Sequence, residues 1–190
     1  MIETVRRSVS ESLALKRAFF ALNEERIAAL ARIVCHALEG GHKLLIYGNG
    51  GSAADAQHIA AEMVGRFRRE RRALAATALT TDTSILTSLA NDYGFDQVFV
   101  RQVRALGRAG DVAMAISTSG NSPNVLLATS AARELGLITV GLTGSDGGKL
   151  GGLVDHHFNV PHNSTARVQE VHIMIGHLLC ELVDQHLKGS

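Results

Sequence analysis

Beyond residue 40 the chain alternates between short, mostly apolar runs and longer stretches with helical periodicity, and this alternation limits its fold more than any other feature. Lys43–Tyr47, Leu74–Leu79, Asp111–Ile116, Ile138–Leu142 and His157–Val160 read as strands. Ala53–Phe67, Thr83–Leu89, Phe95–Leu106, Ser122–Leu135, Gly147–Leu153 and Ser164–Lys188 read as helices. Strands of this length and apolarity, separated by helices, belong in a parallel sheet covered on both faces. Right-handed crossovers bring every strand-to-helix loop to one edge of such a sheet. Ligands of open sheets bind at that edge, beyond the carboxyl ends of the strands. The expected fold is therefore α/β, a three-layer α-β-α sandwich around a five-stranded parallel sheet.

Residues 1–38 read as helix throughout, with Leu13, Leu15, Phe19, Phe20, Leu22, Ile27, Leu30, Ile33, Val34 and Leu38 at helical spacing. That apolar set is wide for a surface helix, and part of it is expected to face another subunit. Gly40-Gly41 ends the segment. There is no repeat and no linker, so all 190 residues are read as one domain, with 1–38 as a helical segment packing on it and on neighbouring subunits. A net charge of +1 gives no bulk attraction to nucleic acid or to a membrane surface. No apolar run reaches membrane-spanning length, and Met1–Ser10 lacks a signal-peptide core. Cys35 and Cys180 lie in helix-like stretches without metal-type spacing and are expected to be free, buried thiols. A cytoplasmic location follows as an expectation.

Two of the strand-to-helix turns suit a phosphorylated ligand. Gly48-Asn49-Gly50-Gly51-Ser52 lets backbone approach a ligand closely, offers free N–H groups at a helix start, and adds the Ser52 hydroxyl. It is neither a GxGxxG fingerprint nor a Walker loop. Ser117-Thr118-Ser119-Gly120-Asn121-Ser122 places four hydroxyls before a helix that opens with Pro123. Simple capping accounts for one hydroxyl; four describe a neutral phosphate cradle.

Near the same edge, His58 and Glu62 lie at i and i+4 on one helix face. Such a pair can hold zinc or couple a base to an acid. Asp55, three residues before His58, is placed to orient its ring. The last helix carries Gln169, Glu170, His172 and His177, and spacing alone does not choose among them. Arg66, Arg68, Arg69, Arg71 and Arg72 read as a solvated helix end, with Arg66 the member expected to face a substrate. His36, His42, His156, His157, His162 and His186 show no spacing that supports a role.

The Gly-Asn-Gly-Gly-Ser and Ser-Thr-Ser-Gly-Asn-Ser turns together resemble those of the sugar-isomerase (SIS) domain family, whose fold is flavodoxin-like. Within it the chain resembles the phosphoheptose isomerases, over Asn49–Phe67, Thr80–Phe95, Gly110–Asn124, Leu142–Gly148 and Arg167–Gln185. The resemblance implies an aldose–ketose isomerase acting on sedoheptulose 7-phosphate, at the first step of ADP-heptose synthesis for lipopolysaccharide or another surface polysaccharide. It implies Glu62 and His177 as the acid–base residues. It implies one zinc ion per subunit on His58, Glu62, Gln169 and His177. Asn49, Gly50, Gly51, Asn91, Asp92, Ser117, Thr118, Ser119, Ser122, Glu62 and Gln169 would line the substrate, and His172 stays structural. It also implies a homotetramer with sites at subunit interfaces.

Two points depart from a simple transfer. Gln169 and His177 are eight residues apart, about 12 Å of helix rise, so one ion on all four ligands calls for completion at a subunit contact, or for fewer ligands. Some relatives carry an acidic residue where this chain has Ala166, so a mechanism needing a carboxylate there does not apply. The rival readings are a non-catalytic relative that binds the replication initiator and a regulator that senses a sugar phosphate. Neither needs Glu62 and His177, and the presence of both favours the enzyme.

Overall fold

The computed structural model describes residues 1–187, and the expected end of the last helix at Lys188 lies outside them. In chain order the elements are α1 (Ile2–Glu39), β1 (Leu44–Gly48), α2 (Gly51–Val64), β2 (Ala76–Ala78), α3 (Thr83–Tyr93), α4 (Val100–Leu106), β3 (Val112–Ser117), α5 (Pro123–Glu134), β4 (Ile138–Gly144), α6 (Gly148–Gly151), β5 (His156–Val160) and α7 (Thr165–His186). All four strand pairings are parallel, in the order β2-β1-β3-β4-β5. From β1 the chain crosses outward to β2, then returns to lay β3 on the other side of β1. The carboxyl ends of β1 and β3 therefore flank the topological switch point, where such sheets bind ligands.

Side-chain alternation explains why these strands are apolar throughout. Leu44 and Ile46 of β1 join a core with Val112, Met114 and Ile116 of β3, against α1, α2 and α7. Leu45 and Tyr47 point the other way and pack with Ala113 and Ala115 against α4, α5 and α6. With helices on both faces, β1 and β3 are buried at every residue, and the polar side chains that the central strands carry, Ser117, Thr139 and Thr143 among them, are hydrogen-bonded.

Two expectations need correction. The helix over Phe95–Leu106 is broken: a single 3-10 turn spans Phe95–Gln97, and α4 starts at Val100. Val98, Phe99 and Val100 are all buried in succession, which one face of a regular helix cannot arrange, so the pitch changes there. The strand over Leu74–Leu79 shrinks to three residues at the sheet edge. Leu74 donates its N–H to the Met63 carbonyl instead, which docks the approach to β2 on the end of α2.

His172 sits fully buried on α7 and donates Nε2–H to the Thr143 carbonyl at 2.9 Å. Its Nδ1 has no partner, and burial pushes its pKa down to about 4. The unfolded chain protonates this histidine at ordinary pKa and the folded chain resists. Its stabilisation is thus complete above about pH 6.5 and drains away as pH falls toward about 4. His172→Asn is expected to lower stability at pH 7 by about 1–3 kcal/mol and to flatten the decline between those pH values. Chemical denaturation of both proteins across the range measures this.

Candidate functional site

β1 and β3 feed the two loops singled out from sequence, and a cavity of about 280 Å³ opens between them. Its wall is the Asn49–Ser52 turn, Ser117, Thr118 and Ser122, closed by Thr165 and Gln169 from the first turns of α7. Asn49 and Asn124 exchange two amide hydrogen bonds of 2.9 Å and lock one loop to the other. The Ser122 hydroxyl makes no capping bond to α5 and lies instead 3.1 Å from that of Ser117. No side chain caps α2 either. The α2 N-terminus thus has no side-chain cap and lies beside the paired Ser117 and Ser122 hydroxyls, an arrangement suited to an anion, whereas at α5 Pro123 has no N–H and Val125 N–H is held by Asn124 Oδ1.

Backbone leaves no room for a side chain at Gly120, and a side chain at Gly51 would displace that of Gln169. A Cβ on Gly51 would run into the Gln169 carboxamide, and one on Gly120, at φ +63°, would run into the Gly147 carbonyl. Gly120 is held by Leu150 N–H at 2.9 Å, and Gly144 N–H donates to Thr118 at 3.0 Å. The β4–α6 turn is thereby a shelf for the hydroxyl loop. His157, to which spacing assigned no role, supports the shelf. It donates to the Thr143 hydroxyl at 2.7 Å, which donates to Asn159 at 2.9 Å, and Asn159 holds the Ser145 carbonyl at 3.1 Å. Ser145 itself has φ 52°, a conformation uncommon for a residue with a side chain.

Ser119 is exposed but stays with the hydroxyl loop, its Oγ 3.5 Å from that of Ser117 and accepting from Asn121 N–H at 3.2 Å. Two expected substrate residues sit apart. Asn91 and Asp92 are exposed on the last turn of α3, where Asn91 donates to Asp92 at 2.9 Å, and neither lines the cavity.

α2 and α7 run side by side in the same direction: Gly51 faces Gln169, and further along Ile59 packs on Gly176. This brings His58 Nε2 to 3.4 Å from His177 Nε2 and to 3.3 Å from Glu62 Oε1. The two imidazoles meet edge-on, with ring centres 5.0 Å apart. Phe67 stacks on His177 at 5.6 Å. Asp55 makes no hydrogen bond to His58. Its Oδ2 is buried without a partner, and burial lifts its pKa to about 6 against the pull of His58.

Donors bound tetrahedrally at zinc's usual 2.0–2.1 Å lie about 3.4 Å apart, so the His58–Glu62 and His58–His177 spacings both suit zinc. Among the described residues no three His, Cys, Asp or Glu side chains already converge on one point. Gln169 is at the far end of the groove, beside Gly51. One protomer therefore brings His58 close to both Glu62 and His177, and keeps Gln169 with the cavity.

The basic run differs from a solvated helix end, because α2 stops at Val64. Arg66 and Arg68 are exposed and pair with Glu70 at 3.7 Å and Glu181 at 2.6 Å. The Arg71 side chain is buried, 2.6 Å from Asp184 of α7. Removing one member of such a pair costs about 3–5 kcal/mol, whereas exposed pairs contribute under about 1 kcal/mol.

The family profile described as "SIS domain" matches residues 9–144. A phosphoheptose isomerase of Aquifex aeolicus is 54% identical over 185 residues, covering 97% of each chain. That of Nitratidesulfovibrio vulgaris is 56% identical over 191 residues, covering 98% of this chain and 92% of the relative. The chain belongs to the phosphoheptose isomerase family. Solved phosphoheptose isomerases share its shape. The structure from Neisseria gonorrhoeae has a TM-score of 0.91 at 49% identity, covering 96% of this chain and 98% of that one. The structure from Francisella tularensis has a TM-score of 0.93 at 36% identity, covering 97% and 98%. In phosphoheptose isomerase terms, the two loops and the α2–α7 groove are the parts to test for binding and for chemistry. Ser122→Ala is expected to weaken sugar-phosphate binding about tenfold, as for one lost hydrogen bond of about 1.4 kcal/mol, with an unchanged melting temperature because the hydroxyl caps nothing. Gly120→Ala should lose binding and also about 1–3 kcal/mol of stability. Calorimetric titration beside thermal unfolding separates the two.

Proposed function

We propose that this chain interconverts sedoheptulose 7-phosphate and D-glycero-D-manno-heptose 7-phosphate, the first step toward ADP-heptose. The observation that carries the reading is the union, in a phosphoheptose isomerase family member, of an uncapped hydroxyl loop with a His58–Glu62–His177 cluster along one groove. The loop takes the distal phosphate through amides and hydroxyls, and binding there orients the reacting end of the sugar. Glu62 removes the proton from C1 of the ketose and returns one to C2. His177 moves the hydroxyl proton between O1 and O2 as the enediol forms and collapses. A zinc ion on His58, Glu62 and His177 would polarise the carbonyl.

The span of the helices supports a shared site. Gly51 and Glu62 are eleven residues apart on α2, about 16 Å of rise, and a seven-carbon phosphate is shorter than that even when fully extended. Phosphate held by the loop of one protomer would therefore meet Glu62 and His177 of another, and Gln169 of one protomer could complete the ligand set of its neighbour. α1 supports assembly as well: Ile2, Val5, Val9 and Leu13 form an apolar stripe, each residue more than half exposed. A homotetramer built on α1 fits this stripe. No helix among the described residues is long and apolar enough to cross a membrane, and a cytoplasmic site of action is part of the proposal.

Turnover of sedoheptulose 7-phosphate by the purified protein, with and without zinc, tests the reading. Glu62→Gln and His177→Ala should each lower kcat by about 10²–10⁴-fold. If sites are shared, assemblies mixed from Glu62→Gln and Ser122→Ala subunits should turn over low concentrations of substrate faster than the summed rates of the two variants assembled separately. No turnover by the parent in any zinc condition would reject the isomerase, and no gain on mixing would reject the shared site.

A further inference from the structure

Asp184 lies two turns beyond His177 on α7, and both it and Arg71 are 2% exposed at the side chain. One carboxylate oxygen accepts the Arg68 and Arg69 backbone N–H groups at 2.8 and 3.2 Å, and the other accepts Arg71 Nε at 2.6 Å. The remaining guanidinium nitrogens of Arg71 donate to the carbonyls of Glu62 and Met63 at 2.9 Å each, and to Arg72 at 3.1 Å. These contacts add a donor to the Glu62 carbonyl near the end of α2 and a second one to that of Met63, which already accepts from Leu74 N–H. They also fold residues 65–71 back over α7 as a strap. The strap carries Phe67 onto the His177 ring at 5.6 Å and 28°, with the Arg68 guanidinium 5.5 Å from the Phe67 centre.

Stability alone does not explain such a device, because an apolar pair of similar volume commonly serves a core as well as a buried ion pair does. What the ion pair adds is direction: a carboxylate with three donors and a planar fork on two successive carbonyls set one geometry. Burial opposes the ionised Asp184, yet the amides of Arg68 and Arg69 and the guanidinium of Arg71 outweigh it and hold the carboxyl below its ordinary range. The strap touches the helix of Glu62 through its carbonyl and His177 through a ring face, and reaches neither the hydroxyl loop nor Gln169.

We infer that Asp184 is a positioning residue for the acid–base pair: it folds the 65–71 strap so that Phe67 sets the His177 ring and Arg71 fixes the end of α2 at Glu62. This rests on the reading of Glu62 and His177 as the reacting groups. Losing the strap therefore acts on the chemical step and spares the binding of the phosphate end.

The test uses the full-length assembled protein with Asp184→Asn, Arg71→Lys and Phe67→Leu, read by steady-state kinetics, thermal unfolding and histidine-selective NMR. The His177 ring resonance, assigned with His177→Gln, should carry a ring-current displacement from Phe67 in the parent. Asp184→Asn and Phe67→Leu should both remove that displacement and lower kcat about 10–100-fold, with KM within about threefold, the signature of an interaction felt in the transition state. Arg71→Lys keeps the charge without the fork and should lower kcat likewise. A kcat within about twofold of the parent and an unmoved His177 resonance in Asp184→Asn would overturn the inference. So would losses that only track the unfolded fraction. If Asp184→Asn does not fold, Arg71→Lys, which keeps the Phe67 ring, decides by the same two readouts. A parent without turnover would fail the isomerase reading, while the resonance would still report whether Asp184 builds the stack.

Discussion

The contact between Ile59 and Gly176 governs much of this protein. A Cβ at residue 176 would lie 2.6 Å from Ile59 Cδ1, so only glycine lets α7 approach α2 this closely. Both helices start at the ligand edge of the sheet and run in the same direction, so a single close contact sets the register of everything along them. Gly51 meets Gln169 at the start, His58 meets His177 in the middle, and the 65–71 strap meets Asp184 at the end. The sheet supplies the rigid base for this groove, with β1 and β3 buried at every position beneath it.

The groove separates two kinds of chemistry. At its start, the uncapped N-terminus of α2 and the Ser117 and Ser122 hydroxyls suit an anion without fixed positive charge. Further along, imidazoles and a carboxylate a quarter exposed suit proton transfer or a metal. The backbone rise from Gly51 to Glu62, about 16 Å, exceeds the length of an extended seven-carbon phosphate. That mismatch is what makes assembly part of the proposed catalysis, and α1 offers an apolar stripe through which assembly can occur.

Some supporting residues gave no sequence signal. His157 reaches the hydroxyl loop only through Thr143, Asn159 and Ser145, a path across β4 and β5 that no local spacing encodes. Arg71 was hidden in a run of arginines that looks uniform along the chain. One of their side chains is buried because the strap turns it toward Asp184, more than a hundred residues away in sequence. Asn124 follows a Ser-Pro pair that reads as a helix start and nothing more, yet it ties the two loops together.

By itself the sequence determined the layering, the parallel sheet and the two ligand loops. Periodicity, glycine and hydroxyl placement are local properties, and the burial of β1 and β3 on both faces appears directly in their composition. It also placed His58 and Glu62 on one helix face, since i and i+4 are neighbours on any helix. Only the tertiary structure decided that His177 stands beside His58 while Gln169 stays with the cavity, because that depends on how two helices pack and on the one glycine that lets them touch. It likewise broke the Phe95–Leu106 helix and shortened β2, where burial of consecutive residues and docking onto α2 outweighed local propensity.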